Sequence, residues 1–222
     1  MMEQKQYTKA VGEKFHEDGS VRAFPGNTVI SKITADMPIY AGLVEAQERL
    51  KAVDAAGKYV FLPPASLHMT VMEGLCDQVR TPERWSQKLA LHANWNDVNQ
   101  FMFDCFSRMS PPHSLTMRIA GFNFSRWPVL VLEPANPETT RALQNFREQF
   151  SQETGIRFPN HETYTFHISL AYQLLVLPND AEGLLRETQQ ELYQTLSATY
   201  RVFELNTPRL TYFENMFRFD DA

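Results

Sequence analysis

Two five-residue segments, one in each half of the 222-residue chain, share the pattern apolar-His-apolar-hydroxyl-apolar. Residues 67–71 read LHMTV and residues 166–170 read FHISL. Because side chains alternate between the two faces of a β-strand, each segment predicts a strand with its histidine and hydroxyl on one face and its apolar side chains in a core. The pattern predicts a strand at a matching place in each half of the chain, and it also predicts which face of each strand is buried. It therefore constrains the fold more than any other feature of the sequence.

The histidine and the hydroxyl of each motif stand two residues apart, which is roughly 6.5–7 Å along a strand. That distance lets an imidazole and a hydroxyl engage different oxygens of one phosphate. The candidate pairs are His68 with Thr70 and His167 with Ser169. A third triplet, residues 161–163 (HET), lacks the apolar positions, and its histidine would line the same face only if the second strand began early.

The composition is that of a folded globular protein, with 43% hydrophobic and 21% charged residues, and it excludes disorder as the main state. The formal net charge of −5 argues against general electrostatic binding of long nucleic acid, although a small anionic ligand needs only a local cluster of donors. The two cysteines, Cys76 and Cys105, are too few for a disulfide framework or a zinc motif. Because no apolar run is long enough for a signal peptide or a membrane span, we expect a cytoplasmic monomer without membrane contacts.

Strand-like and helix-like segments alternate through both halves of the chain. The predicted strands are residues 28–33, 59–62, 66–72, 115–122, 129–133, 164–172, 201–205 and 209–214. The predicted helices begin near residues 36, 81, 97, 136 and 179, and those at 81 and 97 form a helical insert over 82–109. Each half contains strand, helix and strand, and the later strand carries the histidine. We therefore predict an α+β fold of two related, largely antiparallel lobes, with residues 1–24 as an arm and 25–222 as one bilobal domain.

Two histidines that face each other across a phosphate supply both a base and an acid. Histidine has an ordinary pKa of about 6.5, so at neutral pH one ring can be neutral while another is protonated. His68 and His167 are therefore the predicted catalytic pair, and either one can be the base on the attacking oxygen while the other protonates the leaving oxygen. Thr70 and Ser169 are predicted to bind the non-bridging oxygens of the phosphate.

A metal site is the alternative use of the same histidines, with His161 as a third ligand. Against it, neither motif has a carboxylate or a cysteine at ligand spacing, and Glu73 and Asp77 begin the turn that follows the first motif. Acid and base catalysis by two histidines needs no metal, so we predict no metal and no other cofactor.

The two motifs, with the strand-then-Gly-Phe stretch at 118–124 and the block FHISLAY at 166–172, resemble the two-histidine (2H) phosphoesterase superfamily. It includes cyclic nucleotide phosphodiesterases and bacterial RNA 2′,3′-cyclic phosphodiesterases once called RNA ligases. The resemblance extends over roughly residues 27–172 and is greatest to a bacterial branch. It implies a pseudo-twofold α+β fold with two sheets lining a central cleft and helices outside. It also implies metal-independent cleavage of a 2′,3′-cyclic or 2′,5′-linked phosphodiester in a nucleotide or an RNA terminus.

Further candidate substrate contacts lie near the two motifs. The resemblance places Tyr172 at the phosphate, although strict alternation puts it on the face opposite to His167, so a bulge or a strand end is needed to bring it round. Tyr164, Arg80 and Arg118 are candidates from charge and position alone. The ordinary alternative for Tyr164 is an aromatic side chain in the core or at its rim. For Arg80 and Arg118 it is a charged side chain on the surface.

Two other functions stay open at this point: non-catalytic binding of a nucleotide or RNA end, and an interaction module, which would show a large exposed apolar patch. The intact motifs argue against the first, because a binder that lost its activity is expected to have lost a histidine or a hydroxyl. The substrate also stays open among a cyclic mononucleotide, a cyclic ADP-ribose-type product, an RNA terminus and a 2′,5′-oligoadenylate.

Overall fold

Strands and helices alternate along the chain, and the computed structural model describes them over residues 6–54, 57–123, 128–176 and 183–222. The strands are β1 (Gly26–Lys32), β2 (Tyr59–Phe61), β3 (His68–Cys76), β4 (Ser114–Asn123), β5 (Val129–Pro134), β6 (His167–Ser169), β7 (Ala171–Gln173), β8 (Phe203–Asn206), β9 (Arg209–Asn215) and β10 (Arg218–Asp221). The helices are α1 (Ala10–Glu13), α2 (Pro38–Val53), α3 (Trp95–Ser107), α4 (Pro137–Thr154) and α5 (Gly183–Thr199), with single 3₁₀ turns at Pro64–Ser66 and Pro82–Arg84. The predicted α+β class is confirmed.

Eight of these strands form one antiparallel sheet in the order β10-β9-β1-β3-β6-β5-β4-β8, while β2 and β7 form a second, two-stranded sheet. The first histidine motif lies in β3 and the second in β6. These two strands pair with each other, with Met69 opposite Ile168. The large sheet therefore brings the central residues of the two motifs into direct register.

One large core packs against the apolar residues of the motifs. Leu67, Met69, Val71, Ile168 and Leu170 are all buried, as the alternating pattern predicts. They share one cluster with side chains of three helices, namely Leu43 and Leu50 of α2, Leu143 and Phe150 of α4, and Leu192 and Leu196 of α5. Because alternate side chains of a strand point to opposite faces, this packing directs the histidines and hydroxyls of the motifs away from the core.

A β-bulge interrupts the alternation in β3 directly after the first motif. Ile30 of β1 pairs with Thr70, but the neighbouring Val29 pairs with Met72, so Val71 is an extra residue. Val71 and Met72 are accordingly both buried, which strict alternation does not allow. The residues of β3 beyond the bulge therefore change faces relative to a regular strand.

The strand predicted over residues 164–172 is wrong in its bounds, because this segment contributes two short strands to two different sheets. β6 belongs to the large sheet and β7 to the small one, with Leu170 between them. Buried Gln47 of α2 stabilises this break, since its side-chain amide donates to the carbonyls of Leu62 and Leu170 at 2.8 Å each. Leu170 and Ala171 are both buried, so the regular alternation of faces is broken between β6 and β7. Tyr172 can therefore lie on the same face as His167, which an unbroken strand would not allow.

The insert predicted over residues 82–109 is α-helical only in α3. The first predicted helix is a single 3₁₀ turn, Pro82–Arg84. The chain then folds back around the Arg80 guanidinium, which donates to two backbone carbonyls of the segment and stacks on the rings of Trp85 and Trp95. These long-range contacts override the local helix signal.

The predicted arm lies against β7 over the part of it that the structure describes, residues 6–24. The backbone N–H of Thr8 donates to the carbonyl of Leu174 at 2.8 Å. Phe15 is fully buried in a second, smaller core, to which Leu174 and Phe213 also belong. The arm is thereby held beside the second histidine motif.

The terminal strand β10 is an element that the sequence pattern does not predict. The start of the last helix, predicted near residue 179, lies outside the described residues. Within the described ranges, no helix has the length and apolar character needed to cross a bilayer.

Candidate active site

The register between β3 and β6 places four polar side chains of the motifs next to one another. His68 stands across from Ser169, and Thr70 stands across from His167. Side chains directly opposite each other in an antiparallel pair lie about 4.5–5.5 Å apart, and diagonal ones about 7–8 Å apart. The two histidines occupy one diagonal and the two hydroxyls the other, so the four side chains are neighbours on the face of the sheet that points away from the core.

Both imidazole rings are oriented by the same local hydrogen bond. The Nδ1 atom of His68 lies 2.7 Å from the carbonyl oxygen of Ser66, and that of His167 lies 2.8 Å from the carbonyl oxygen of Thr165. A carbonyl can only accept, so each Nδ1 carries the proton. The Nε2 atom of each neutral ring is therefore left with a free lone pair for proton transfer.

His68 is held in an apolar environment that favours its neutral form. The ring of Phe219, in β10, lies 4.4 Å from the His68 ring between centroids. Burial lowers the pKa of His68 to about 4, with the hydrogen bond to Ser66 acting in the opposite direction and the charges of His167 and Lys32 adding to the decrease. At neutral pH the His68 Nε2 atom is thus a proton acceptor.

Tyr164 forms a wall of the site next to the second histidine. Its ring lies 6.2 Å from the His167 ring between centroids, and its hydroxyl is close to the side chain of Thr70. Burial raises the pKa of Tyr164 well above its usual range, so the hydroxyl stays protonated. Buried Arg147 supports this wall: its guanidinium stacks on the Tyr164 ring at 4.6 Å and donates to the carbonyl of Val71 at 2.6 Å.

Tyr172 lies on the same side as Tyr164, because the strand break resets the alternation. The two tyrosines are close enough for Tyr172 to add to the increase in the pKa of Tyr164, which burial dominates. The Tyr172 hydroxyl accepts a hydrogen bond from the ammonium of Lys14, which comes from the arm, at 3.5 Å and donates to the Met216 sulfur at 3.6 Å. The thiol of Cys76 is also nearby, and burial raises its pKa to about 11, so it is an unreactive thiol at neutral pH.

Glu73 borders the site at the other end of β3. Its carboxylate accepts a hydrogen bond from the Asn160 side chain at 2.8 Å and forms an ion pair with Arg84 at 3.5 Å. The bulge in β3 brings this carboxylate toward Tyr164, whose pKa it helps to raise. Arg84 offsets part of the negative charge that Glu73 brings to this edge of the site.

Three residues considered in the sequence have other partners in the structure. Arg80 is bonded to Asp77 and to the backbone of the 77–95 segment, and Arg118 forms an ion pair with Glu133 across the β4–β5 pair at 2.7 Å. Their roles as substrate contacts stay predictions, and we do not include them in the site. His161 is buried outside the motif strands, with its Nε2 atom 3.8 Å from Glu148 of α4.

The structure adds three residues that the sequence analysis did not single out: Lys14, Arg147 and Phe219. Each reaches the site from a distant part of the chain, and none belongs to a recognisable motif. The one sequence signal was the high aromatic content near the C-terminus, where Phe213, Phe217 and Phe219 recur. Over the described part of the chain, no group of three or more His, Cys, Asp or Glu side chains is arranged to hold a metal ion.

The 2H phosphoesterase resemblance implies an α+β fold whose two His-x-Thr/Ser motifs line one cleft, and in the structure the two motif strands are neighbours in one sheet. The model of the 2H-phosphodiest family, described as a domain of unknown function (DUF1868), matches residues 14–127, just over half of the chain. The chain therefore belongs to this 2H phosphodiesterase family.

The chain also matches solved structures, and the first of these shares its fold. A conserved protein of unknown function from Agrobacterium tumefaciens str. C58 is 26% identical, with a TM-score of 0.90 over 99% of this chain and 93% of that chain. The protein TT0787 of Thermus thermophilus is 16% identical, with a TM-score of 0.42 over 84% of this chain and 87% of that one. A structure titled as a phosphoesterase is 12% identical, with a TM-score of 0.42 over 90% of this chain and 96% of that one. No curated protein matches the chain.

Proposed function

We propose that this protein is a phosphodiesterase that opens a 2′,3′-cyclic phosphate, or cleaves a 2′,5′-linked phosphodiester, at a nucleotide or RNA end. The observation that carries the proposal is the shared orientation of the two histidines. Each donates through Nδ1 to the carbonyl two residues earlier, and both belong to strands paired at one seam. Two Nε2 atoms are thereby free to act on one phosphate.

His68 is the base in this proposal, because burial and the Phe219 ring keep it neutral. Its Nε2 accepts a proton from the attacking water as the water oxygen bonds to phosphorus. His167 enters with a proton on Nε2 and donates it to the ribose oxygen that leaves phosphorus. One P–O bond forms, one breaks, and the protons exchanged with solvent afterwards restore both rings.

Thr70 and Ser169 are the proposed ligands of the non-bridging oxygens. They occupy the second diagonal of the four-residue arrangement, so their hydroxyls approach the phosphate from either side of the line between the histidines. Hydroxyl donors placed there stabilise the charge that builds on phosphorus-bound oxygens during attack. Tyr164 and Tyr172 form the walls that position the substrate, and this mechanism uses no metal.

We expect the purified protein to hydrolyse at least one substrate from a panel of 2′,3′-cyclic mononucleotides, RNA oligonucleotides with a 2′,3′-cyclic end and 2′,5′-linked adenylates in excess EDTA. Product phosphomonoesters are followed by chromatography and ³¹P NMR, which also identifies the 2′- or 3′-phosphate. Turnover that appears only after a divalent metal is added would contradict the mechanism. Tight binding of these compounds without turnover would instead identify a non-catalytic nucleotide or RNA-end binder.

A further inference from the structure

Lys14 brings a positive charge to the edge of the site, and no residue in the described ranges forms an ion pair with it. Its ammonium lies 4.8 Å from the centre of the Tyr172 ring and 5.3 Å from that of Phe24. Among the described residues, no carboxylate forms an ion pair with Lys14, and the neighbouring Glu13 is the carboxylate among the main influences on its pKa. Burial is the largest single influence on the pKa of Lys14 and lowers it, while the charges of Tyr172, Cys76 and Glu13 and the hydrogen bond to Tyr172 act in the opposite direction, so the net direction is upward.

The other cations that border the site in the described part of the chain are already engaged. Arg84 pairs with Glu73 at 3.5 Å, and Lys32 pairs with Asp221 at 2.7 Å. Arg147 donates to two backbone carbonyls and stacks on an aromatic ring. The arm lysine, Lys14, has by contrast one side-chain hydrogen-bond partner among the residues that the structure describes, the Tyr172 hydroxyl, at the long distance of 3.5 Å. It therefore has donors to spare for an anion.

Lys14 lies beside the four polar side chains of the motifs and not among them. Tyr172 is a neighbour of both Lys14 and Tyr164, and the Tyr164 ring in turn lies 6.2 Å from His167. Lys14 is thus connected to the histidines through two tyrosines, and its contacts among the described residues lie outside both motifs. An anion on Lys14 would therefore be a second one, distinct from a phosphate held by the histidines.

The chemistry of a 2′,3′-cyclic end restricts where a second anion can be. Both vicinal oxygens of the terminal ribose are part of the cyclic phosphate. A second phosphate can therefore be attached only through the 5′ oxygen, either as a monoester in a nucleotide or as the diester that links the preceding nucleotide of an RNA.

We infer that the Lys14 ammonium, held in place by Tyr172, forms a second anion-binding subsite, which takes the 5′-phosphate of a substrate whose 2′,3′-cyclic phosphate lies between His68 and His167. The inference rests on the proposed function, since it names the substrate class for that site. It also gives the arm a role, because the docked segment 6–24 is what holds Lys14 against β7.

Binding of product-like probes tests the subsite without requiring turnover. We expect the wild-type protein to bind adenosine 3′,5′-bisphosphate about 10- to 100-fold more tightly than adenosine 3′-phosphate in a calorimetric titration, as a charge-assisted hydrogen bond predicts. In Lys14→Gln this affinity ratio falls to near one, while Lys14→Arg retains most of it. Lys9→Gln removes an exposed charge from the same arm and is the matched control, with the ratio of the wild type.

An unchanged affinity ratio in Lys14→Gln, or a ratio near one in the wild type, would overturn the inference. Equal weakening of both probes would overturn it too, because Lys14 would then only position Tyr172. Should Lys14→Gln have a lowered melting temperature, Lys14→Met keeps the aliphatic stem against the two rings and carries the same test. If the probes show the expected ratio but no substrate is turned over, the proposed function fails and the subsite stands.

A turnover comparison then separates the two sources of the 5′-phosphate. Adenosine 2′,3′-cyclic phosphate is compared with its 5′-phosphorylated form and with a diadenylate that has the same cyclic end. A higher kcat/KM for the phosphorylated mononucleotide alone identifies a nucleotide substrate, and a gain for the diadenylate identifies an RNA end. A gain for neither would contradict the subsite.

Discussion

Replacement of His68 or His167 with glutamine is expected to lower kcat/KM on the cyclic phosphate substrate by about 10²–10⁴-fold, the usual contribution of a positioned acid or base. Glutamine retains polarity and approximate size but cannot transfer a proton at neutral pH. The double variant is expected to lose little more than the worse single variant, because two groups that act in one proton-transfer step are strongly non-additive. Steady-state kinetics of the three variants at pH 7 with EDTA measures this.

His161→Gln is the matched control for the histidine variants. It removes the same chemical group from the third His-x-Ser/Thr triplet of the chain, which lies outside β3 and β6. We expect its kcat/KM to stay within about threefold of the wild type, as for a substitution away from the reacting atoms. A histidine variant of either motif with wild-type kcat/KM would remove that residue from the mechanism.

Replacement of Phe219 with alanine is expected to shift the acid limb of the pH profile upward. The base must be unprotonated, so wild-type kcat/KM falls as the pH drops through the His68 pKa of about 4. Opening the apolar cover lets water reach the His68 ring and raises its pKa toward the ordinary value of about 6.5. At pH 5 the kcat/KM of the variant is then up to about 30-fold lower than that of the wild type. Above pH 8 the base is unprotonated in both proteins, and their kcat/KM values differ little.

Phe219→Leu distinguishes burial from ring stacking as the cause of this shift. Leucine keeps most of the apolar cover without an aromatic ring, so its acid limb should stay near that of the wild type. The full kcat/KM profile from pH 4 to pH 9 is measured for the three proteins. An acid limb that does not move in Phe219→Ala would contradict the assignment of His68 as the base.

The two motif strands are predictable from sequence because their information is local. A five-residue alternation of apolar and polar side chains is sufficient to indicate a half-buried strand, and burial of Met69 and Ile168 confirms the orientation. The helix from Asn136 to Gly155 is equally local, since its cap and its left-handed terminal glycine are adjacent to it in sequence. Such elements carry their own start and stop signals.

The remainder of the site depends on contacts between distant parts of the chain. The β3–β6 register, the break at Leu170 and the approach of Phe219 to His68 are set by packing between segments that are tens of residues apart. The sequence also does not indicate that Lys14 lies near the site, because an isolated lysine in a segment without periodicity is ordinarily a solvated charge. Periodicity identifies which face of an element is polar, but not which other element that face meets.

The orientation and protonation of the two imidazole rings test the central claim most directly. Nitrogen-15 NMR of the histidine rings at pH 7 distinguishes the protonated nitrogen of each ring, with assignment by the His68→Gln and His167→Gln variants. We predict that His68 is neutral with its proton on Nδ1, and that adenosine 3′-phosphate shifts the Nε2 signals of both His68 and His167. A proton on Nε2 of free His68, or a probe that perturbs only one of the two rings, would contradict a site in which both histidines act on one phosphate.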